Sequence, residues 1–441
     1  MSSLLATTPQ AFVEPLRSVG GRGYVVRRAQ SGQLESSHPF LDPIRELFER
    51  DTRDFLDHEG VFFEVGPDSG ALLTAFVHRT RRGQAAGGLR HWPYPTLEAL
   101  VRDGLRLAVG MTRKNAMAGL WWGGGKGIIA RGEDAAYQDR AYRDLVYAEY
   151  GCFVSSLGGC YVTAEDAGTT PLDMRAVFSS TRHTTCIPAD HGGSGNPSGP
   201  TAVGVVCAME AALGVVDEGT LAGKRIAMQG AGNVATFMMS ALLERGVASI
   251  VASDINEARL AELRSRFDGA PIEFRLCAPD DLSIFDTPCD IFAPNALGGV
   301  LNPDTTERLR TGIVCGAANN QLLDDKRDME ALVRRKIVYV PDFVANRMGI
   351  VNCANEAYGH VPDDPAVARH LERDWEQSVF NMTRRVLLRA REAGTTTAEA
   401  ANALADELAG ELHPIWPLRG QQIIEGLIDS GWATRPGSGL P

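Results

Sequence analysis

At 441 residues, with 44% hydrophobic and 22% charged side chains, the chain has an ordinary globular composition and enough length for two or three domains. A formal net charge of −11 argues against an extended nucleic-acid or anionic-membrane surface and leaves room for one local positive site. The first residues lack a basic segment followed by an apolar core, no apolar run approaches the ~20 residues of a membrane span, and none of the eight cysteines forms a C-x-x-C pair or completes a zinc spacing; a cytoplasmic protein with free thiols, no metal and no membrane or nucleic-acid partner is expected.

Residues 1–50 have weak periodicity and form an expected N-terminal extension, partly helical over 41–58. Segments 61–65 and 71–78 are predicted strands of a hairpin around Pro67-Asp68-Ser69-Gly70. Thr96 is placed to cap a helix on which Leu97, Leu100, Val101, Leu105 and Ala108 share one face. That helix runs toward Met111 and leads to a predicted Gly-rich turn over 123–127; a further helix is predicted over 137–156. The turn-forming run from His191 to Pro200 marks a domain boundary and hinge. The domains expected are therefore 1–195, 196–365 and a C-terminal helical segment, 366–441, packing back toward the first. Within the second, predicted strands 224–229, 248–253, 289–293, 313–316 and 337–340 alternate with helices, which implies right-handed crossovers and a doubly wound parallel sheet. Thr396 and Glu399 have capping-box spacing, and the end over 435–441 is expected to fray.

The run Gly230-Ala231-Gly232-Asn233-Val234-Ala235 follows one of those strands and opens a helix. Gly230 permits the tight turn, Gly232 lets the backbone approach a pyrophosphate, and Asn233 and Val234 begin a helix whose N–H groups and dipole favour phosphate. Asp254, 24 residues past Gly230, ends the next strand, where a carboxylate accepts from ribose hydroxyls and repels a 2′-phosphate. A Rossmann-type domain binding NAD in preference to NADP follows; a solvated Asp in an ordinary strand–helix turn is the alternative.

Only five of the 44 basic residues are lysines, and Lys114 and Lys126 fall within 13 residues of each other. Arginine cannot lose its proton in a protein, whereas a desolvated lysine beside another cation can. Lys126 sits in Trp121-Trp122-Gly123-Gly124-Gly125-Lys126-Gly127, which is not a P-loop because Leu120 and Gly127 stand where Gly and Ser/Thr are required. The competing reading is a pair of solvated surface charges.

Seven blocks, in order from about residue 55 to 360, resemble the glutamate/leucine/phenylalanine/valine dehydrogenase family, with the leucine and valine enzymes nearest. They are Gly87-Gly88-Leu89-Arg90, Met111 to Ala116, Gly123 to Gly127, Tyr161 to Thr170, Gly195 to Thr201, Ala293 to Gly298 and Gly316 to Leu322, with Pro341-Asp342 beyond them. The resemblance implies an α/β protein with an N-terminal substrate-binding and oligomerisation domain, a Rossmann domain, and a cleft between them that closes about the 192–199 segment. It implies reversible, NAD-dependent oxidative deamination of an L-amino acid to a 2-oxo acid and ammonia, in a homo-oligomer. Lys114 would pair with the substrate carboxylate, Lys126 would activate water or polarise the carbinolamine, and Asp166 would shuttle protons. Thr201 and Asn320 would orient nicotinamide and substrate, while Ala86, Gly88, Ala164, Ile350 and Cys353 would line the side-chain pocket. Two departures bear on substrate. Arg347 and Met348 replace small residues expected near the nicotinamide, and Ala86 is smaller than usual, favouring a bulky, branched or aromatic side chain. A specialised biosynthetic enzyme, or a silent paralogue acting as a ligand-binding or scaffold subunit, is the alternative; oxidation of a 2-hydroxy acid is a third.

Overall fold

The computed structural model describes residues 4–132, 135–216, 219–359 and 361–437, so the last four residues of the predicted frayed end lie outside the described residues. Two compact units divide the chain: 1–196 with 353–361 and 406–441, and 197–352 with 362–405.

The first unit is built on seven strands: β1 Arg22–Arg27, β2 Leu34–Ser36, β3 Gly60–Val65, β4 Leu72–Arg79, β5 Ala85–Trp92, β6 Gly123–Ala130 and β7 Tyr161–Glu165. Their order is β2-β1-β3-β4-β6-β5-β7, with β6, β5 and β7 mutually parallel and the rest antiparallel. The hairpin of β3 and β4 and the helix Leu97–Met117 stand where they were predicted, and the Thr96 hydroxyl accepts the Ala99 N–H at 3.1 Å as the cap.

Two expectations change here. The N-terminal extension is part of the sheet: β1 pairs with β3 (Val25 opposite Val61), and Phe12 and Leu16 of the helix Pro9–Ser18 enter the core with Phe63 and Leu72. Its strand was not legible because β1 is buried along nearly its whole length, which erases the alternation that marks a half-exposed strand. The Gly-rich 123–127 segment, expected as a turn, is instead the fully buried strand β6. Its glycines answer close packing. A Cβ on Gly124 would lie 2.2 Å from the Thr112 amide nitrogen and 2.5 Å from the Ala108 carbonyl oxygen, both backbone atoms of the helix Leu97–Met117. A Cβ on Gly127, which points to the opposite face, would lie 2.0 Å from Tyr150 Oη in the helix Arg140–Ser156. Glycine thus lets one helix backbone lie directly on the strand.

The second unit carries a six-stranded, all-parallel sheet: β8 Arg225–Gln229, β9 Ser249–Asp254, β10 Ile272–Leu276, β11 Ile291–Pro294, β12 Ile313–Val314 and β13 Val338–Tyr339. The order β10-β9-β8-β11-β12-β13 reverses at β8, the switch point of a doubly wound fold. Strand β10 was not predicted; it is a half-exposed edge strand with charged Glu273 and Arg275 between its apolar residues. The helix Ser198–Val216 is long and apolar enough to cross a membrane, contrary to the expectation that no such run exists. It packs against the helices Asn233–Glu244 and Val379–Ala393, so its apolarity is that of a core helix.

The segment 366–441, expected as one piece, is divided between the units. Val379, Met382, Val386 and Leu387 bury one face of the helix Val379–Ala393 in the second unit, and Arg391 donates to the Val215 carbonyl at 3.0 Å. Residues 406–437 join the first unit, where Arg113 pairs with Asp406 at 3.1 Å and His413 donates its amide to the Arg81 carbonyl at 2.9 Å.

Candidate active site

Strand register assembles the first half of the site. Lys126 on β6 stands opposite Phe76 on β4; with Leu89 opposite Gly127, Gly88 is its neighbour on β5, and Gly88 pairs with Ala164 on β7. The row therefore places two of the smallest residues beside one long amine. Asp166, two residues past Ala164, returns to the same face, and its Oδ2 lies 2.9 Å from Lys126 Nζ. Gly88 is obligatory at this spacing, because a Cβ there would lie 2.7 Å from the Asp166 Cβ. Ala86 lies two rows along on the same face, paired with Gly124 and Val162, and its carbonyl accepts from the buried Asn115 amide at 3.3 Å. Lys114 occupies the last turn of the helix Leu97–Met117, which lies on β6.

Lys126 is only 2% exposed. Burial pulls its ammonium down from the usual lysine range; Asp166 pushes back, Arg90 lowers it again, and the balance stands at about 8. Burial alone would raise the Asp166 carboxyl, but Lys126 and Arg90 together hold it well below the usual carboxylate range. Both cations use one oxygen: Arg90 Nε reaches Asp166 Oδ2 at 3.0 Å. Arg90 in turn pairs through Nη1 with Asp103 Oδ2 at 2.9 Å, an oxygen that also accepts from the Tyr94 hydroxyl at 2.6 Å. The Asp166 amide donates to Thr169 Oγ1 at 2.8 Å, which fixes the turn after β7. Sequence reading singled out Lys126 and Asp166 but not Arg90, Asp103 or Tyr94, although Arg90 stands in the Gly-Gly-Leu-Arg block.

Cys353 belongs to the same unit, and its Sγ lies 3.1 Å from that of Cys186. Three residues on, Glu356 accepts the amides of Cys186, Ile187 and Ser194 at 2.9, 3.1 and 2.9 Å, tying the loop before residue 196 to the helix Met348–Tyr358. That anchor was also missed; an isolated Glu on a helix gives no sequence signal of three loop amides converging on it. Among the described residues no group of three His, Cys, Asp or Glu side chains is placed to hold a metal.

The second unit carries the dinucleotide fingerprint. Gly230 has φ +97°, and a Cβ there would lie 2.9 Å from the Ala296 amide nitrogen, so only glycine fits. Gly232 caps the helix Asn233–Glu244 without a side-chain acceptor and faces open space, leaving the first N–H groups available to an anion. Asp254 ends β9; its Oδ2 accepts the Ala231 amide at 2.8 Å and its Oδ1 the Asn256 amide at 2.9 Å. The carboxylate is thus fastened to the glycine turn, and each oxygen keeps a lone pair for a ribose hydroxyl. Arg259, not foreseen, lies on the same turn, donating to the Ala231 carbonyl at 3.3 Å and Thr236 Oγ1 at 2.8 Å. These features fit a pyridine dinucleotide: anion-binding amides at a glycine turn and an acid at the next strand end.

Thr201 and Asn320 lie in this unit. Thr201 Oγ1 donates to the Pro197 carbonyl at 2.8 Å, and a Cβ on Gly349 would lie 2.8 Å from that oxygen. Asn320 has φ +52°, its amide held by Asp342 Oδ2 at 2.8 Å. Ile350 is buried in the second unit. Arg347 and Met348, which stand where the family resemblance implied small residues, turn into the core of the second unit. Met348 Cγ takes the space a Cβ on Gly204 would need, and the fully buried Arg347 donates to the Gln377 carbonyl, with Cys207 and His370 close enough to act on its charge. Both side chains are core residues of the second unit.

Residues 192–409 match the family model described as Glutamate/Leucine/Phenylalanine/Valine dehydrogenase, and residues 61–183 match its dimerisation domain. The chain is 37% identical to leucine dehydrogenase of Geobacillus stearothermophilus over 352 residues, 80% of this chain and 90% of that one. It is 35% identical to L-tryptophan dehydrogenase of Nostoc punctiforme over 353 residues, 80% and 93% of the two chains. The crystal structure of the Nostoc punctiforme enzyme superposes with a TM-score of 0.65 at 30% identity, covering 84% of this chain and 98% of that one.

Proposed function

We infer the reaction from one premise: the chain belongs to the glutamate/leucine/phenylalanine/valine dehydrogenase family. It is an amino-acid dehydrogenase dependent on a pyridine nucleotide. The finer reading is reversible deamination of an apolar L-amino acid, branched or aromatic, with NAD as the nucleotide. The observation that carries it is the buried Lys126–Asp166 pair at 2.9 Å beside Gly88 and Ala164.

In this reading Gly230, Gly232, Asn233, Val234 and Asp254 hold the dinucleotide, and Thr201 and Asn320 orient it. When bound, the nucleotide would supply the hydride acceptor for deamination and the hydride donor for the reverse reaction. Lys114 pairs with the substrate carboxylate. Lys126, with an ammonium that titrates at about 8, offers a neutral amine to activate water and an ammonium to polarise the resulting oxygen within about one pH unit of neutrality. Asp166 exchanges protons with the amino group through Oδ1, since Oδ2 is engaged by two cations, and it takes a proton only once Lys126 has become neutral and no longer holds the carboxyl down. Gly88, Ala164 and Ala86 leave space for a large side chain, and Cys353 of the same unit contributes an apolar wall. We assign the protein to the cytoplasm and to a homo-oligomer. The inward packing of Arg347 and Met348 removes the observation that favoured a silent paralogue.

The test is NADH oxidation with ammonia across branched, aromatic, indolic and acidic 2-oxo acids. Turnover that requires ammonia and favours the apolar acids is expected. Turnover without ammonia would replace the assignment with a hydroxy-acid enzyme, and preference for 2-oxoglutarate would overturn the side-chain reading. For the nucleotide, Asp254→Ser removes an acceptor and a repelling charge, so the ratio of kcat/KM for NAD over NADP should fall by about tenfold or more. An unchanged ratio would exclude Asp254 as the discriminating residue.

A further inference from the structure

We propose that Arg90 is the residue that frees Lys126 to give up its proton, by sharing with it a single oxygen of Asp166. A buried ammonium facing a buried carboxylate ordinarily keeps its proton, because the ion pair is worth more in a low dielectric than in water. Here Asp166 Oδ2 receives Lys126 Nζ at 2.9 Å and Arg90 Nε at 3.0 Å. The arginine therefore acts twice on the lysine: it divides the charge of the carboxylate, and it places a second positive charge beside the ammonium. Of the two cations only the lysine can yield, since a guanidinium does not lose its proton in a protein.

The groups around the lysine come from every adjoining element. Asp166 follows β7, Arg90 lies on β5, and Asp103 comes from the helix Leu97–Met117, which also carries Lys114. Tyr94, between β5 and that helix, closes the network by donating to Asp103 at 2.6 Å. Asp103 opposes Arg90: it compensates the guanidinium at 2.9 Å, and its own charge favours the protonated lysine. Arg90 touches neither the reacting carbon nor the nucleotide in this scheme; it is a positioning residue that works through Asp166. The proposal rests on Lys126 being the reacting amine.

Opposite signs make it testable. In pH profiles of kcat/KM for deamination of the best amino acid, the limb belonging to Lys126 is expected near the value of about 8 for the wild type. Arg90→Gln should move that limb up by about one pH unit or more, Asp103→Asn should move it down, and Arg90→Lys, which keeps a cation, should restore most of the wild-type position. The ammonium of the free substrate titrates identically in all four proteins and cancels in the comparison. A limb that stays in place or falls in Arg90→Gln overturns the proposal. Should that variant not fold, Asp103→Asn alone decides, with an unmoved or raised limb counting against it. Competitive labelling by acetic anhydride, read at Lys126 by peptide mass spectrometry, follows the same ionisation without turnover. It decides the role of Arg90 even if no amino acid is deaminated, in which case the assignment of function fails by itself.

Discussion

Lys126→Ala is expected to lower kcat for deamination by on the order of 10³ to 10⁴ while leaving NADH affinity within about twofold. The size of the loss follows from the role proposed for the amine. It is 2% exposed and 2.9 Å from Asp166, so cutting the side chain back removes a buried amine from beside the carboxylate. The fold should survive, because Asp166 keeps Arg90 at 3.0 Å and is not left as a lone buried charge. Dinucleotide affinity is expected to report on the other unit, where the proposed site with Gly230 and Asp254 is untouched. Steady-state kinetics with fluorescence titration of NADH separates the two quantities. Near wild-type kcat would remove Lys126 from the chemistry, and parallel loss of NADH binding would point to misfolding.

Gly124→Ala should be a severely damaging single-methyl change in the first unit, destabilising it by about 3 kcal/mol or more and lowering its melting temperature by roughly 6–12 °C. The new Cβ would meet the Thr112 amide nitrogen at 2.2 Å and the Ala108 carbonyl oxygen at 2.5 Å. Neither can rotate away, so the helix Leu97–Met117 would have to lift from the sheet and carry Asp103 and Lys114 with it. Gly127→Ala is the control on the opposite face. Its nearest obstacle is a side-chain atom, Tyr150 Oη at 2.0 Å, and Tyr150→Phe in the same chain should recover part of the loss. Thermal scans of the single variants and the pair check both expectations. Equal melting temperatures for Gly124→Ala and wild type would mean that the helix is not seated on the strand.

These glycines also mark where sequence reading stops. Three consecutive glycines before a lysine carry the local signature of a turn, and nothing in the string shows that a helix backbone lies across them. The fingerprint over 230–235 with Asp254 was legible because its signal is local: strand, turn, helix and acid follow one another along the chain. Lys126 was legible through the scarcity of lysine, and Asp166 through the family's motif. Arg90 stood in a recognised block, yet its relation to Asp166 depends on three parallel strands meeting in register, which the string does not display. At Arg347 and Met348 the sequence displays two large side chains but not their direction, which is set by Gly204 and the Gln377 carbonyl inside the second unit.

The division of the chain has a consequence for synthesis. Residues that complete the first unit are the last of the described chain to leave the ribosome: Asp406 for Arg113, Glu411 for Arg82, and Trp432, which buries its ring against Phe62 and Arg22. The second unit likewise waits for residues 362–405. Neither half can finish before the chain has passed residue 361, and the second unit is complete at residue 405, one segment ahead of the first. A premature stop inside 406–437 would leave a full nucleotide-binding half attached to an unfinished amino-acid half, a product able to sequester dinucleotide without turning it over.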